Sequence, residues 1–130
     1  MLDLNSHISV AQTLAPAVHA ATANGADVDL ANYDAAVLVF DVGVVTANDL
    51  VLTVQEADDD GAGAPDTYAN VAAANLDGTI PTLTTATDEA VTTVGYIGNK
   101  RWIRAVVTDG GTGSASFGVA VVRGKGRKHT

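Results

Sequence analysis

Cysteine is absent from this chain of 130 residues. Disulfide frameworks and thiolate metal sites are therefore excluded together, as suits a protein made in a reducing cytoplasm. Aromatic residues are scarce, with one Trp, three Tyr and two Phe. A sugar-binding face or a single-strand nucleic-acid platform needs several exposed rings on one side, and few are to spare here. Long apolar runs are missing too. The longest, Ala35 to Phe40, is strand-sized and far short of the roughly 20 residues that cross a bilayer. The opening residues, Met1-Leu-Asp-Leu-Asn-Ser-His7, contain neither a basic nor an apolar segment, so no signal peptide is expected. Basic residues are lacking from most of the chain. Residues 1–109 hold all fifteen Asp and Glu against three Lys and Arg, a sum of −12, whereas residues 110–130 sum to +4.

What is present points to strands. The hydrophobic share is 47%, drawn mainly from Ala and Val, whose small side chains fit a thin core between two sheets. Turn dipeptides recur at Asn24-Gly25, Asp60-Gly61, Asp77-Gly78 and Asp109-Gly110. Between them, runs rich in Val, Thr, Ile and Ala predict strands near 16–22, 27–31, 34–43, 49–56, 67–73, 89–96, 100–108 and 115–123. Leu50, Leu52 and Val54 alternate with Thr53 and Gln55, and Ile103, Ala105 and Val107 alternate with Trp102, Arg104 and Val106. The run Ala36 to Phe40 has no polar alternate, which predicts a central strand covered on both faces. Ser9 to Ala15 is open to two readings, a two-turn helix stopped by Pro16 or an extended arm. The expected fold class is all-β, a single-domain β-sandwich or jelly-roll. Residues 1–15 are expected as an N-terminal arm, 16–123 as the sandwich and 124–130 as a flexible basic tail.

Candidate sites are few. Residues 57–66 form an acidic loop where Glu56, Asp58, Asp59, Asp60 and Asp66 could offer oxygen ligands to Ca²⁺. The loop lacks the alternating register of a calcium-binding loop, so a solvated hairpin is the preferred reading and no metal is assigned. His7, His19 and His129 lie at spacings that support neither a metal site nor a catalytic triad. No nucleophile elbow, phosphate loop or dinucleotide fingerprint occurs. Gly111-Thr-Gly-Ser-Ala-Ser116 joins two strands rather than opening a helix. No catalytic residue and no cofactor is assigned, and an enzyme is not expected.

The candidate partner-binding residues are Arg123, Lys125, Arg127 and Lys128 at the basic end, with Arg101, Trp102 and Arg104 in the body. Arg101 and Arg104 fall on opposite faces of their strand, so they cannot make one basic stripe, and one is expected to pair with an acidic neighbour. Trp102 and Tyr96, with Arg101 and Arg104 beside them, could form an aromatic platform for sugar or single-stranded nucleic acid, but the sole Trp is expected to anchor the core or a subunit contact instead. In the tail, glycines at 124 and 126 loosen the chain while Arg and Lys offer charge-assisted hydrogen bonds to carboxylates. Four charges give only a modest counterion-release contribution, so nucleic acid is not the expected partner.

Three stretches carry a resemblance: Tyr33-Asp-Ala-Ala-Val-Leu-Val-Phe40, Leu52-Thr-Val-Gln-Glu-Ala-Asp-Asp59, and Val94-Gly-Tyr-Ile-Gly-Asn-Lys-Arg-Trp-Ile-Arg-Ala-Val-Val107. With Leu14-Ala-Pro-Ala-Val18 and the closing Val-Val-Arg-Gly124, the chain over residues 8–124 resembles a group of small virion-associated proteins of tailed bacteriophages. The resemblance implies a β-sandwich head decoration, or cement, protein seated on a lattice of major capsid protein. It implies a homo-oligomer, trimers being common among such proteins, a place on the capsid surface after synthesis in the host bacterial cytoplasm, and no membrane partner. A head–tail connector, neck or tail-associated protein is the near alternative, and a carbohydrate-binding β-sandwich module the alternative from another class.

Overall fold

A computed structural model describes residues 3–126, with side chains described through Gly124. Lys125 is therefore seen as backbone alone, and Arg127, Lys128 and His129 lie outside the described residues. Ten strands build two antiparallel sheets. In chain order they are β1 (Ile8–His19), β2 (Ala23–Asn24), β3 (Val28–Asp29), β4 (Tyr33–Ala47), β5 (Leu50–Ala57), β6 (Ala69–Asn70), β7 (Leu76–Asp77), β8 (Ala90–Tyr96), β9 (Trp102–Asp109) and β10 (Ser114–Gly126). The first sheet runs β1-β10-β4-β8-β7. The second runs β2-β9-β5-β6, with β3 also paired to β9. The all-β sandwich expected from turn spacing and alternation is the fold observed.

The chain changes sheet at nearly every connection between long strands: β4 to β5, β8 to β9 and β9 to β10 all cross. Each crossing leaves alternate side chains facing the gap between sheets. Leu38, Phe40, Val94, Val119 and Val121 meet Val28, Val54, Ile103 and Val107 there, all of them buried. The alternation read from β5 and β9 holds, since Leu50, Leu52 and Val54 are buried, as are Ile103, Ala105 and Val107. Val106, however, on the opposite face of β9, is also buried.

β4 is central in its sheet, between β10 and β8, but it is not covered on both faces. Leu38 and Phe40 are buried while Val37 and Val39 are half-buried. These two lie on the outer face, in rows with Val122 and Gly95 and with Ala120 and Thr93. Val10 and Val91 extend that face at 56% and 64% exposure. The apolar run thus marks half a core and half an uncharged outer surface.

The N-terminal region corrects the expected arm of residues 1–15 and removes the helical reading of 9–15. Residues 8–15 belong to β1, paired with β10 from Ile8↔Gly124 onward. Only a short 3₁₀ turn, Asn5–His7, precedes it, with the Asp3 carboxylate accepting from the Ser6 hydroxyl. Pro16 does not stop the strand. β1 is an edge strand, where a missing N–H costs least, and its register shifts between Leu14 and Ala17. Gly118 on β10 makes room for the proline, since a side chain there would come within 2.9 Å of Pro16 Cα. At the other end, β10 runs to Gly126 beside Tyr33, so residues 124–126 continue the sandwich instead of beginning a loose tail.

One buried polar side chain ties the sheets together. Thr13, 4% exposed, donates its hydroxyl to Ala26 O at 2.8 Å and accepts Ala105 N at 3.1 Å. Its carbonyl accepts Ala26 N at 2.6 Å, and Gly25 N reaches Ala105 O at 2.8 Å. Gly25 packs so closely on Thr13 and Ala105 that a side chain there would clash with both backbones. Thr13→Val keeps the volume but strips the hydroxyl from both of its partners, of which Ala105 N is buried. It should destabilise the fold by about 1–3 kcal/mol, read as a lower denaturation midpoint with an unchanged slope.

Candidate functional site

The residues singled out from sequence converge on one end of the sandwich. β1 and β4 start there, β5, β8 and β10 end there, and β3 pairs there with the first residues of β9. Two connections form the end. The β3–β4 turn contains Asn32 in the left-handed region (φ 71°), a conformation that Asn adopts at little cost. The other is the β8–β9 loop, residues 97–101. Between these connections lies a cleft of about 250 Å³, lined in part by Asn32, Tyr33, Tyr96, Asn99 and Lys100.

Arg101 holds this end together. Its Nε and Nη2 donate to the two carboxylate oxygens of Asp29 at 2.9 and 3.0 Å, while Nη1 lies 3.3 Å from Asp59 Oδ1. Its guanidinium also sits 5.2 Å from the Trp102 ring centre, and Trp102 Nε1 donates to Asp59 Oδ1 at 3.3 Å. The expected pairing of one body arginine with an acid is therefore intramolecular. Beside it, Tyr96 donates to Glu56 Oε1 at 2.6 Å and accepts Lys100 N at 3.1 Å, and Lys100 Nζ pairs with Asp58 at 2.9 Å.

Arg123 and Arg104 are also engaged within the fold. Arg123 donates to Asp29 O and to Ser9 Oγ, both at 2.9 Å, and lies 4.9 Å from the Tyr33 ring centre. It thereby links β1, β10 and β4 to β3 in the opposite sheet. Arg104 gives two bonds to Gln55 Oε1, at 3.0 and 2.8 Å, and stacks 4.0 Å from the centre of the Tyr68 ring. Tyr68 in turn donates to Asp27 at 2.7 Å. Arg101, Trp102 and Arg123 are thus brought to one end, with Arg104 further along β9. Of the guanidinium groups expected to meet a partner, those of Arg101, Arg104 and Arg123 spend hydrogen bonds inside the chain. Asp29, Tyr33 and Asn32 were not singled out from sequence. The turn-forming Asp29-Leu-Ala-Asn32 was their only signal.

The acidic loop closes as a hairpin through an Asp59↔Pro65 bridge. Asp59 accepts Gly61 N, Asp60 accepts Ala62 N and Ala64 N, and Asp66 accepts Thr67 N. These carboxylates cap their own backbone. Among the described residues no three His, Asp or Glu gather as metal ligands. His7 and His19 lie at opposite ends of β1, and His19 packs 4.3 Å from the Phe117 ring. A second, shallower depression of about 200 Å³ involves Gln12, Pro16, Val39, Gly118 and Ala120, between β1, β10 and β4.

No family model matches the chain, and neither curated proteins nor solved structures give a significant match.

Electrostatics at the charged end has a definite pH direction. The Arg101 hydrogen bonds hold the Asp29 carboxyl below the usual carboxylate range, against the opposing effect of partial burial. A depressed folded-state pKa stabilises the fold above the unfolded-state value of about 4 and is lost as pH falls through the folded-state value. Burial, with Glu56 next, pushes the Tyr96 hydroxyl upward, so Tyr96 remains a neutral donor across the physiological range. In Asp29→Asn, the difference in stability from the parent should shrink as a denaturation series descends below about pH 4; a constant gap down to the acid limit would contradict the Arg101–Asp29 assignment.

Proposed function

We propose that the chain is a structural virion protein that decorates and stabilises the capsid of a tailed bacteriophage by binding its major capsid protein lattice. The observation that carries this reading is the resemblance over residues 8–124, above all the stretch Gly95 to Arg104. In the fold that stretch leaves the first sheet, crosses the charged end and enters the second sheet. Its Tyr96, Lys100, Arg101 and Trp102 make internal bonds that set the shape of this end, and its Arg104 is bonded to Gln55 further along β9. A stretch whose side chains are spent on internal bonds suits a protein whose task is to fit a surface.

Two further features support a role in assembly. The outer face of the first sheet is uncharged over Val10, Val37, Val39, Ala120 and Val122, and large uncharged faces are seats for partners. The aromatic rings needed for a sugar platform are otherwise occupied: Tyr33, Tyr68 and Trp102 each lie beside a guanidinium, and Tyr96 is buried. A cement protein stabilises a shell by binding its assembled state, and many weak contacts add when the sites are arrayed. Arg101, Arg104 and Arg123 are engaged within the fold, so the reading assigns the partner contact to the basic residues that follow Gly124 in sequence, with an acidic surface on a neighbouring virion subunit as their acceptor.

Quantitative mass spectrometry and cryo-electron microscopy of purified particles test the proposal. Copy number should match the lattice sites of the shell, with density on its outer surface. A number matching a neck ring, or absence from particles, refutes the decoration role. Removing residues 127–130 should lower occupancy in a salt-dependent way while leaving the unfolding midpoint of the isolated protein unchanged. Arg123→Ala should instead lower that midpoint, because Arg123 bridges the two sheets.

A further inference from the structure

β1 leaves a stretch of backbone with no strand paired to one side. The one side-chain bond to a backbone group of residues 8–12, among those described, is from Arg123 Nε to Ser9 O at 3.5 Å. It is the terminal strand of its sheet, bonded to β10 on one side. On its other side, among the described residues, the inter-segment backbone bond is the one from Ala26 N to Thr13 O. From Ile8 to Gln12 the register with β10 is regular, and both register shifts lie beyond it. The 3₁₀ turn Asn5–His7 bounds this window at one end and the Thr13–Ala26 contact at the other.

Open edges are ordinarily defended by charge, proline or bulges. Pro16 and the bulges protect only the second half of β1, and none of its 12 residues is Asp, Glu, Lys or Arg. The other partly open edges differ. β8 follows directly on Asp88 and Glu89, and β5 follows on Asp49. In a chain of net charge −8, approach of two copies along either of those edges brings like charges together.

We infer that residues 8–12 pair with the same residues of a second copy, antiparallel about a two-fold axis through Val10, joining the two first sheets into one continuous sheet. The contact is self-complementary, as an isologous interface must be. Ile8 lies opposite Gln12 of the second copy and Val10 opposite itself, so the outer-face row Val37–Val122–Val10 continues across the axis. Val10, 56% exposed in the single chain, gains an apolar neighbour.

Charge favours the same arrangement. Gly124 sits opposite Ile8, and Lys125, Arg127 and Lys128 follow it in sequence. The Gln12 end of the window adjoins Ala26, held on Thr13, and hence Asp27. Antiparallel pairing therefore brings the end of β10 of each copy, from which the basic residues follow in sequence, to the side of the other copy that holds Asp27, twice per dimer. The general repulsion between acidic bodies is offset where they touch. This inference stands apart from the virion reading: a dimer absent from phage particles would refute that reading and leave the pairing intact.

Sedimentation velocity on the full chain across a dilution series is the test. A dimer is expected, weakening several-fold with added salt or with removal of residues 127–130. Val10→Lys places an ammonium against its own copy across the axis and should give a monomer with an unchanged circular dichroism spectrum. Val91→Lys, on an equally exposed valine of β8, should remain dimeric. Amide hydrogen exchange gives an independent reading, because the backbone of residues 8–12 should gain protection as concentration rises. A wild-type monomer throughout, a trimer, a dimer that survives Val10→Lys, or protection independent of concentration would each overturn the inference.

Discussion

The sandwich depends on Thr13. A buried hydroxyl must find partners or impose a desolvation cost, and this one finds both of its partners outside its own sheet, at Ala26 and Ala105. Those bonds draw β1 out of regular register with β10 and fasten it to β9, so an edge strand of one sheet becomes a seam between two. Much follows from that seam. Gly25 is required where the segments touch, the register breaks flank the Thr13 and Pro16 region, and the first half of β1 stays in regular register with β10 while no strand pairs with its other side.

The charged end obeys a related rule. A thin core of Val, Ala and Leu leaves little room for long side chains, so arginines near it must lie along the rims. There they bridge elements: Arg101 across to Asp29 and Asp59, Arg123 to Asp29 and Ser9, and Arg104 to Gln55 over Tyr68. Partly exposed ion pairs of this kind add little stability singly. Their effect is geometric, because planar guanidinium groups accept few orientations and so fix the relative positions of the loops that carry them. With these cations engaged internally, the acidic body presents carboxylates and apolar patches to its surroundings.

Legibility in the sequence followed the length of each element. β5 and β9 could be read from alternation because eight residues give several repeats of a two-residue period, and the sandwich class followed from turn spacing. The two-residue strands β2, β3, β6 and β7 carry no period at all, and neither β2 nor β7 was anticipated. The first half of β1 was read as an arm or a helix because Pro16 resembles a stop signal. Only the observation that β1 lies on an edge makes the proline harmless, and edge position is a property of the whole sheet. The pairing of a body arginine with an acid was legible in kind. Its identity was not, since Asp29 and Arg101 are 72 residues apart and nothing local links them. Arg123 was grouped with the basic end by its neighbours in sequence, whereas its strand parity turns it toward the interior of the sandwich.

β10 is bonded along its length on both sides, to β1 and to β4, and it is the strand that leads to the basic segment. A pull on that segment along the strand axis would load two ladders of hydrogen bonds in shear, all at once, rather than peeling them open one by one. The core valines of β10 resist the same displacement. The fold therefore carries tension best in the direction from which its basic end would be gripped, which gives an anchor point mechanical as well as chemical meaning.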